Sequence, residues 1–259
     1  MVLSMERWIG KVAVVTGASK GIGAAISERL VDEGLQVVGV ARNKQLLDAL
    51  VKELAGKNGK FYPLVADISK EQDILEAFDW IKNNLGAVHI LVNNAGVGNP
   101  SSVLDGNVGD WLNILNVNVI GLCTATREAV KIMKEHNIDG HIIHINSMLG
   151  HFVLGIPGLE VYTASKHAVT ALSQAMRKHM GNSKRRIKFT SISPGATDTD
   201  FIEQEVRDMI KMDSSVMLRA EDVADSVVYA LSTPPHVQVS FQFPALALHR
   251  VRKTPLNIW

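Results

Sequence analysis

The chain has 259 residues and a mass of 28.2 kDa, with 46% hydrophobic and 20% charged residues, which suits one or two globular domains and excludes disorder. Its 27 Lys and Arg against 26 Asp and Glu leave a formal charge of +1, without the basic excess that a nucleic-acid binder needs. The single cysteine, Cys123, can form neither an internal disulfide nor a zinc cluster alone, and no apolar run approaches the ~18 residues of a membrane span.

The N-terminus, MVLSMERWIG, carries Glu6 and Arg7 where a signal peptide needs apolar residues. The Asn99-Pro100-Ser101 site is blocked to glycosylation by its proline. A soluble, reduced, cytoplasmic domain is expected. Strands are predicted at 11–16, 36–41, 60–65, 88–93, 140–146 and 187–193, with a weaker one at 237–243. Most are nearly continuous apolar runs, as parallel strands covered on both faces require. Helices are predicted near 22–33, 43–56, 70–84, 108–136, 160–181 and 220–232. This alternation predicts βαβ units, and hence an α/β fold: a single Rossmann-type doubly wound domain. Its parallel sheet should have six to seven strands, with helices on both faces. Ser69 with Gln72 predicts a capping box for the 70–84 helix, and Pro234-Pro235 should stop the helix before it. Lys184-Arg185-Arg186 reads as a solvated loop.

The first strand runs into Thr16-Gly17-Ala18-Ser19-Lys20-Gly21-Ile22-Gly23 and then a helix. Glycines at this spacing allow a tight turn and let backbone approach a pyrophosphate, while the helix start offers free N–H groups and a positive dipole end. An acidic residue closing the second strand would select NAD by holding its ribose hydroxyls. Here that strand ends Val40-Ala41-Arg42. Arg42 can fork onto a 2′-phosphate and Lys20 can reach it as a point charge, so NADP is the expected cofactor. The competing reading makes both surface cations.

Tyr162 and Lys166 stand at i and i+4 of a helical segment, hence on one face. A nearby cation should lower the phenol toward a range where it exchanges protons with an alcohol. Ser147 follows the fifth strand, at the end that faces a ligand crevice, where a turn serine is the alternative. Asn118 falls within an apolar stripe of Trp111, Leu115, Leu122, Ala125, Ala129 and Ile132. A buried amide there needs backbone or water partners, and a purely structural amide is the competing reading.

In order and spacing, TGASKGIG at 16–23, Asp67, NNAG at 93–96, Asn118, Ser147, YTASK at 162–166 and PGATDT at 194–199 resemble the short-chain dehydrogenase/reductase family, over about residues 7–238. The resemblance implies Tyr162 as acid/base and Lys166 as nicotinamide-ribose ligand and promoter of the phenolate. It implies Ser147 as orienter of the substrate oxygen and Asn118 as support of a proton relay. Cofactor contacts are implied at Gly17, Ser19, Lys20, Gly21, Ile22, Gly23, Arg42, Asp67, Ile68, Asn94, Ala95, Gly96, Pro194, Gly195, Thr197 and Thr199, besides Tyr162 and Lys166. Asp67 would meet the adenine amino group, Asn94 the adenine ribose side, and Thr199 the carboxamide. MERW at 5–8, GHIIHINSMLGH at 140–151, SKHAVTAL at 165–172 and STPPHVQV at 232–239 are similar to the NADP-dependent farnesol dehydrogenases of insects and their vertebrate relatives. Met5 is then an alternative start to Met1. The resemblance also implies a homodimer or homotetramer.

Segments 97–105, 148–160 and 200–218 would face the substrate by the same analogy. Ile202, Val206, Met209 and Ile210 share a helical face that either packs on the protein or forms an adaptable lid. Phe152, Val153, Leu154 and Ile156 add apolar wall, which suits a farnesol-type alcohol, a steroid or another lipophilic carbonyl. No metal is expected: His141 and His144, three apart on a strand, point to opposite faces. Cys123 reads as an inert thiol. The stretch 240–259 departs from the family pattern, and Pro244 should end the last strand's ladder.

Overall fold

The computed structural model describes residues 3–98, 100–181, 186–201 and 217–244. Strands and helices alternate: β1 (Val12–Thr16), α1 (Gly21–Asp32), β2 (Gln36–Ala41), α2 (Lys44–Glu53), β3 (Lys60–Val65), α3 (Glu71–Leu85) and β4 (Ile90–Asn93). Then come α4 (Val108–Leu115), a π-helical segment (Asn116–Gly121), α5 (Leu122–Glu135), β5 (His141–Ile145), α6 (Glu160–Gly181), β6 (Lys188–Ile192), α7 (Ala220–Ser232) and β7 (Phe241–Gln242). The strands form one parallel sheet in the order β3-β2-β1-β4-β5-β6-β7. Strand order reverses between β1 and β4, and the crevice beyond their carboxyl ends is where such sheets bind ligands.

Side chains alternate across a strand, so each strand feeds two cores. Ala13 and Val15 join Ile26 and Leu30 of α1, Leu47 of α2 and Val227 of α7 on one face. Val12 and Val14 join Ile74 and Phe78 of α3 and Ala129 and Met133 of α5 on the other. Each fully buried aliphatic contributes ~1.5–3 kcal/mol over exposure, which is why β1 is apolar on both faces from Val12 to Val15.

Several boundaries differ from expectation for local reasons. The Ser69–Gln72 capping box does not form. Ser69 Oγ donates to Asp67 Oδ1 at 2.8 Å instead, and Lys70 takes the N-cap position of α3 without a side-chain cap bond. The fourth strand begins at Ile90, although His89 N donates to Val12 O at 2.9 Å while its ring accepts from the Val12 N–H at 3.2 Å. The last strand shrinks to two residues, although Ser191 N donates to Ser240 O and Gly195 N to Pro244 O, extending the contact with β6 at both ends.

The predicted 108–136 helix is continuous but carries the π segment. A π turn holds one extra residue and so rotates everything upstream. The expected stripe is displaced: Ile114 and Val117 are buried, while Leu115 is exposed. No helix among the described residues is long and apolar enough to cross a membrane. Of the basic cluster, Arg186 donates its N–H to Asp139 Oδ1, while Lys184 and Arg185 lie outside the described residues. Asn99, the 202–216 lid positions and residues 245–259 lie outside them too.

Candidate active site

Gly17 and Gly21 adopt positive φ of 67° and 56°, which favours glycine, and together they turn the chain from β1 into α1. A Cβ at Gly23 would stand 2.2 Å from Gly17 O and 2.5 Å from Asn94 Nδ2, and one at Gly17 would stand 2.8 Å from Ala95 Cα. The loop is thus pressed onto the NNAG segment. Thr16 Oγ1 accepts from the N–H groups of Asn94 and Ala95 at 3.1 and 3.0 Å, and Asn94 Nδ2 donates to Thr16 O and Gly17 O at 2.9 and 3.2 Å. This backbone cradle over a helix start fits a pyrophosphate. No side chain caps α1 at Lys20.

Around the cradle lie the other predicted contacts. Thr199 packs on the loop: a Cβ at Gly21 would touch its Cγ2 at 3.3 Å. Lys20 Nζ pairs with Asp200 Oδ2 at 3.2 Å, an exposed bridge between the glycine loop and the segment after β6. Pro194 O accepts from Met148 N, Gly195 O from Thr197 Oγ1, and Thr197 pairs with Leu218. Ile68 is buried. Asp67 Oδ1 accepts from both the N–H and Oγ of Ser69. Burial raises the Asp67 carboxyl, but these bonds and the charges of Arg42 and Lys70 outweigh it and hold it below its ordinary value. Arg42 itself is exposed at the end of β2.

The π segment places Asn118, 2% exposed, over the end of β4. Its Oδ1 accepts from Val97 N at 2.9 Å, while Nδ2 donates to Val97 O at 2.9 Å and to Ser165 Oγ at 3.0 Å. Ser165 Oγ donates in turn to Tyr162 O at 2.7 Å. The amide therefore ties the NNAG strand end to α6. Gly96 faces the same space: a Cβ there would lie 3.5 Å from Asn118 Oδ1 and 3.8 Å from Lys166 Nζ.

Tyr162 and Lys166, both buried, share one face of α6, with Lys166 Nζ 5.7 Å from the Tyr162 ring centroid. Ser147 caps a single 3₁₀ turn, Met148–Gly150, at the end of β5, and its side chain favours the Tyr162 phenolate. Burial pushes the Tyr162 phenol up to about 12, and Ser147 only partly offsets it. The Lys166 ammonium donates to Ile145 O, 3.1 Å away. Burial also brings Lys166 down to about 8.

The sequence brings Asn118, Ser147, Tyr162 and Lys166 to one place, beside the cradle at the carboxyl end of the sheet. The family model for short chain dehydrogenases matches residues 11–210. The chain is a short-chain dehydrogenase/reductase. It is 43% identical over 237 residues to the farnesol dehydrogenase of Aedes aegypti, covering 91% of this chain and 95% of that protein. It is 43% identical over 243 residues to human dehydrogenase/reductase SDR family member 11, covering 91% and 94%. A Burkholderia phymatum short-chain dehydrogenase/reductase solved with NAD superposes with a TM-score of 0.82 at 26% identity, covering 91% of this chain and 89% of that one.

Some partners of this oxidoreductase site were not visible in sequence. Ser165 and Thr170 carry no sequence signal of a role. An acid at Asp200 facing Lys20 had no signal, since 180 residues separate them. His141 and His144 do go separate ways, to Thr190 Oγ1 and Ser173 Oγ, both at 2.8 Å. Cys123 is half-buried, and burial raises its thiol.

Proposed function

We propose that the protein moves a hydride between NADP and a lipophilic alcohol or carbonyl, with a farnesol-type isoprenoid alcohol as the first candidate. The observation that carries this reading is the grouping of Ser147, Tyr162, Lys166 and Asn118 next to the glycine cradle. When bound, the nicotinamide supplies or accepts the hydride. Tyr162 Oη takes the hydroxyl proton in oxidation and returns it in reduction. A phenol raised by burial suits the proton donor at neutral pH, and the oxidising direction gains as pH rises. Ser147 Oγ orients the substrate oxygen. Lys166 and Gly96 border the ribose position, and Asn118 keeps Val97 and α6 in register.

Arg42 supports the choice of NADP: it ends β2 where an NAD-selecting carboxylate would stand, and it is free to fork onto a phosphate. Phe201 supports the lipophilic substrate, because its ring lies against Tyr162 with centroids 5.8 Å apart. Phe152, Val153 and Leu154 are exposed along the neighbouring loop. A cavity of about 420 Å³ between that loop and α6 includes neither Tyr162 nor Ser147, so it adjoins the reaction site without being it. The sequence likeness to the Aedes farnesol dehydrogenase points the same way. Exposed Val108, Leu112 and Ile120 around α4 support a homodimer or homotetramer, which sedimentation would test.

The test is turnover of NADP with farnesol, geraniol and hydroxysteroids. Oxidation of the isoprenoid alcohols is expected. Turnover of steroids alone would move the substrate class, and cofactor binding without turnover would make the protein a binding regulator.

A further inference from the structure

We infer that Thr170 and Asn146 are positioning residues that fix Ser147 relative to Tyr162; the inference rests on the oxidoreductase reading above. Ser147 stands between β5 and one 3₁₀ turn, and such a short turn has little rigidity of its own. Its hydroxyl accepts from the Leu149 N–H at 3.1 Å, so its place depends on where that turn lies.

Helix α6 holds the turn at three points that bracket Ser147. Lys166 Nζ donates to Ile145 O at 3.1 Å. One helical turn further, Thr170 Oγ1 accepts from Asn146 Nδ2 and donates to Gly150 O, each at 2.8 Å. Residues 162, 166 and 170 fall at i, i+4 and i+8, so the phenol, the ammonium and this hydroxyl line one face. The serine loop lies across that face. Gly150 permits the approach: a Cβ there would meet Asn146 Nδ2 and Lys166 O, both at 2.7 Å. Outside the helix, Met148 N donates to Pro194 O at 2.9 Å, tying the same turn to the segment expected at the cofactor.

Thr170 is the hub because one hydroxyl serves both ends of the loop. Its loss leaves Asn146 Nδ2 and Gly150 O without this partner and releases the turn. A reacting oxygen held ~1 Å out of place costs on the order of 100-fold in rate.

The experiment compares Thr170→Val, which keeps the shape, with Thr170→Ser, which keeps the hydroxyl, and with Tyr162→Phe as control. With NADP and farnesol, or the panel alcohol that the wild type oxidises, Thr170→Val should lower kcat ~10- to 100-fold. NADPH affinity should stay within about twofold, and the alkaline limb of the kcat profile should move to higher pH as the phenolate loses its Ser147 partner. Thr170→Ser should recover kcat to within about threefold of wild type. A Thr170→Val enzyme that melts earlier but keeps its kcat and pH profile overturns the inference. Hydrogen exchange reads the clamp without turnover: the Leu149 amide should exchange roughly tenfold faster in Thr170→Val. Unchanged exchange overturns the inference whatever the substrate. Tyr162→Phe without effect overturns the oxidoreductase reading instead, and the exchange result still decides the clamp.

Discussion

Lys166 Nζ stands 5.7 Å from the centre of the Tyr162 ring yet spends a proton on Ile145 O at 3.1 Å. Burial raises the phenol, and Ser147 offsets part of that rise. Removing the Tyr162 hydroxyl should remove the proton transfer and little else. Tyr162→Phe is expected to lower kcat ~10²- to 10⁴-fold with NADPH affinity nearly unchanged. Steady-state kinetics with a fluorescence titration of NADPH checks this, and wild-type turnover in the variant would refute the assignment.

The cofactor preference turns on Arg42. A charge-assisted bond to a phosphate contributes ~1.5–3 kcal/mol, so Arg42→Ala should weaken NADP by roughly 10- to 150-fold and leave NAD where it was. Parallel titrations with both dinucleotides decide it. Equal losses for both would remove the 2′-phosphate contact.

A methyl group at Gly23 has no room, since Gly17 O would be 2.2 Å away and both atoms belong to the backbone cradle. Gly23→Ala should abolish measurable dinucleotide binding and cost ~1–3 kcal/mol of stability through overpacking. Calorimetric titration and thermal unfolding report the two effects separately. Tight binding in the variant would show that the loop has another way to open.

Three histidines set the acid limit of the fold. Burial brings His89 down to about 4 and His144 down to about 3, and it holds His141 well below its ordinary value. The unfolded chain protonates these rings near pH 6.5 while the folded chain keeps them neutral, so the unfolded state binds more protons and stability falls as pH falls. The loss begins below about 6.5 and continues until the folded values are reached, at up to ~1.4 kcal/mol per pH unit for each ring. Melting temperature should drop steadily from pH 6.5 to 4.5. A flat profile there would contradict the buried neutral state.

Strong local patterns carried most of the fold. β2 has the bounds its apolar run announces, Gln36–Ala41, because nothing nearby competes for its ladder. The resemblance of the motifs to the family grouped Asn118, Ser147, Tyr162 and Lys166. What stayed illegible depended on contacts between distant residues. Ser69 had the chemistry of a cap, but Asp67 took its hydroxyl. Leu115 had the right period for the core, but the π segment changed the phase. The rise of the Tyr162 phenol comes from its desolvation, a property of the whole fold. Thr170 was an ordinary helix residue until the serine loop lay across it.

The π segment at Asn116–Gly121 also defines how the site can be lost. It accommodates one residue more than a regular helix of the same rise. Deleting a single residue from it would let α4 and α5 merge into one uninterrupted helix while each flank keeps its phase. Leu115 would stay exposed, and Asn118 would lose the widened turn that presents it to Val97 and Ser165. A one-codon deletion is thus a more selective way to disarm this enzyme than many substitutions, because it would keep every side chain of the site and misplace one of them.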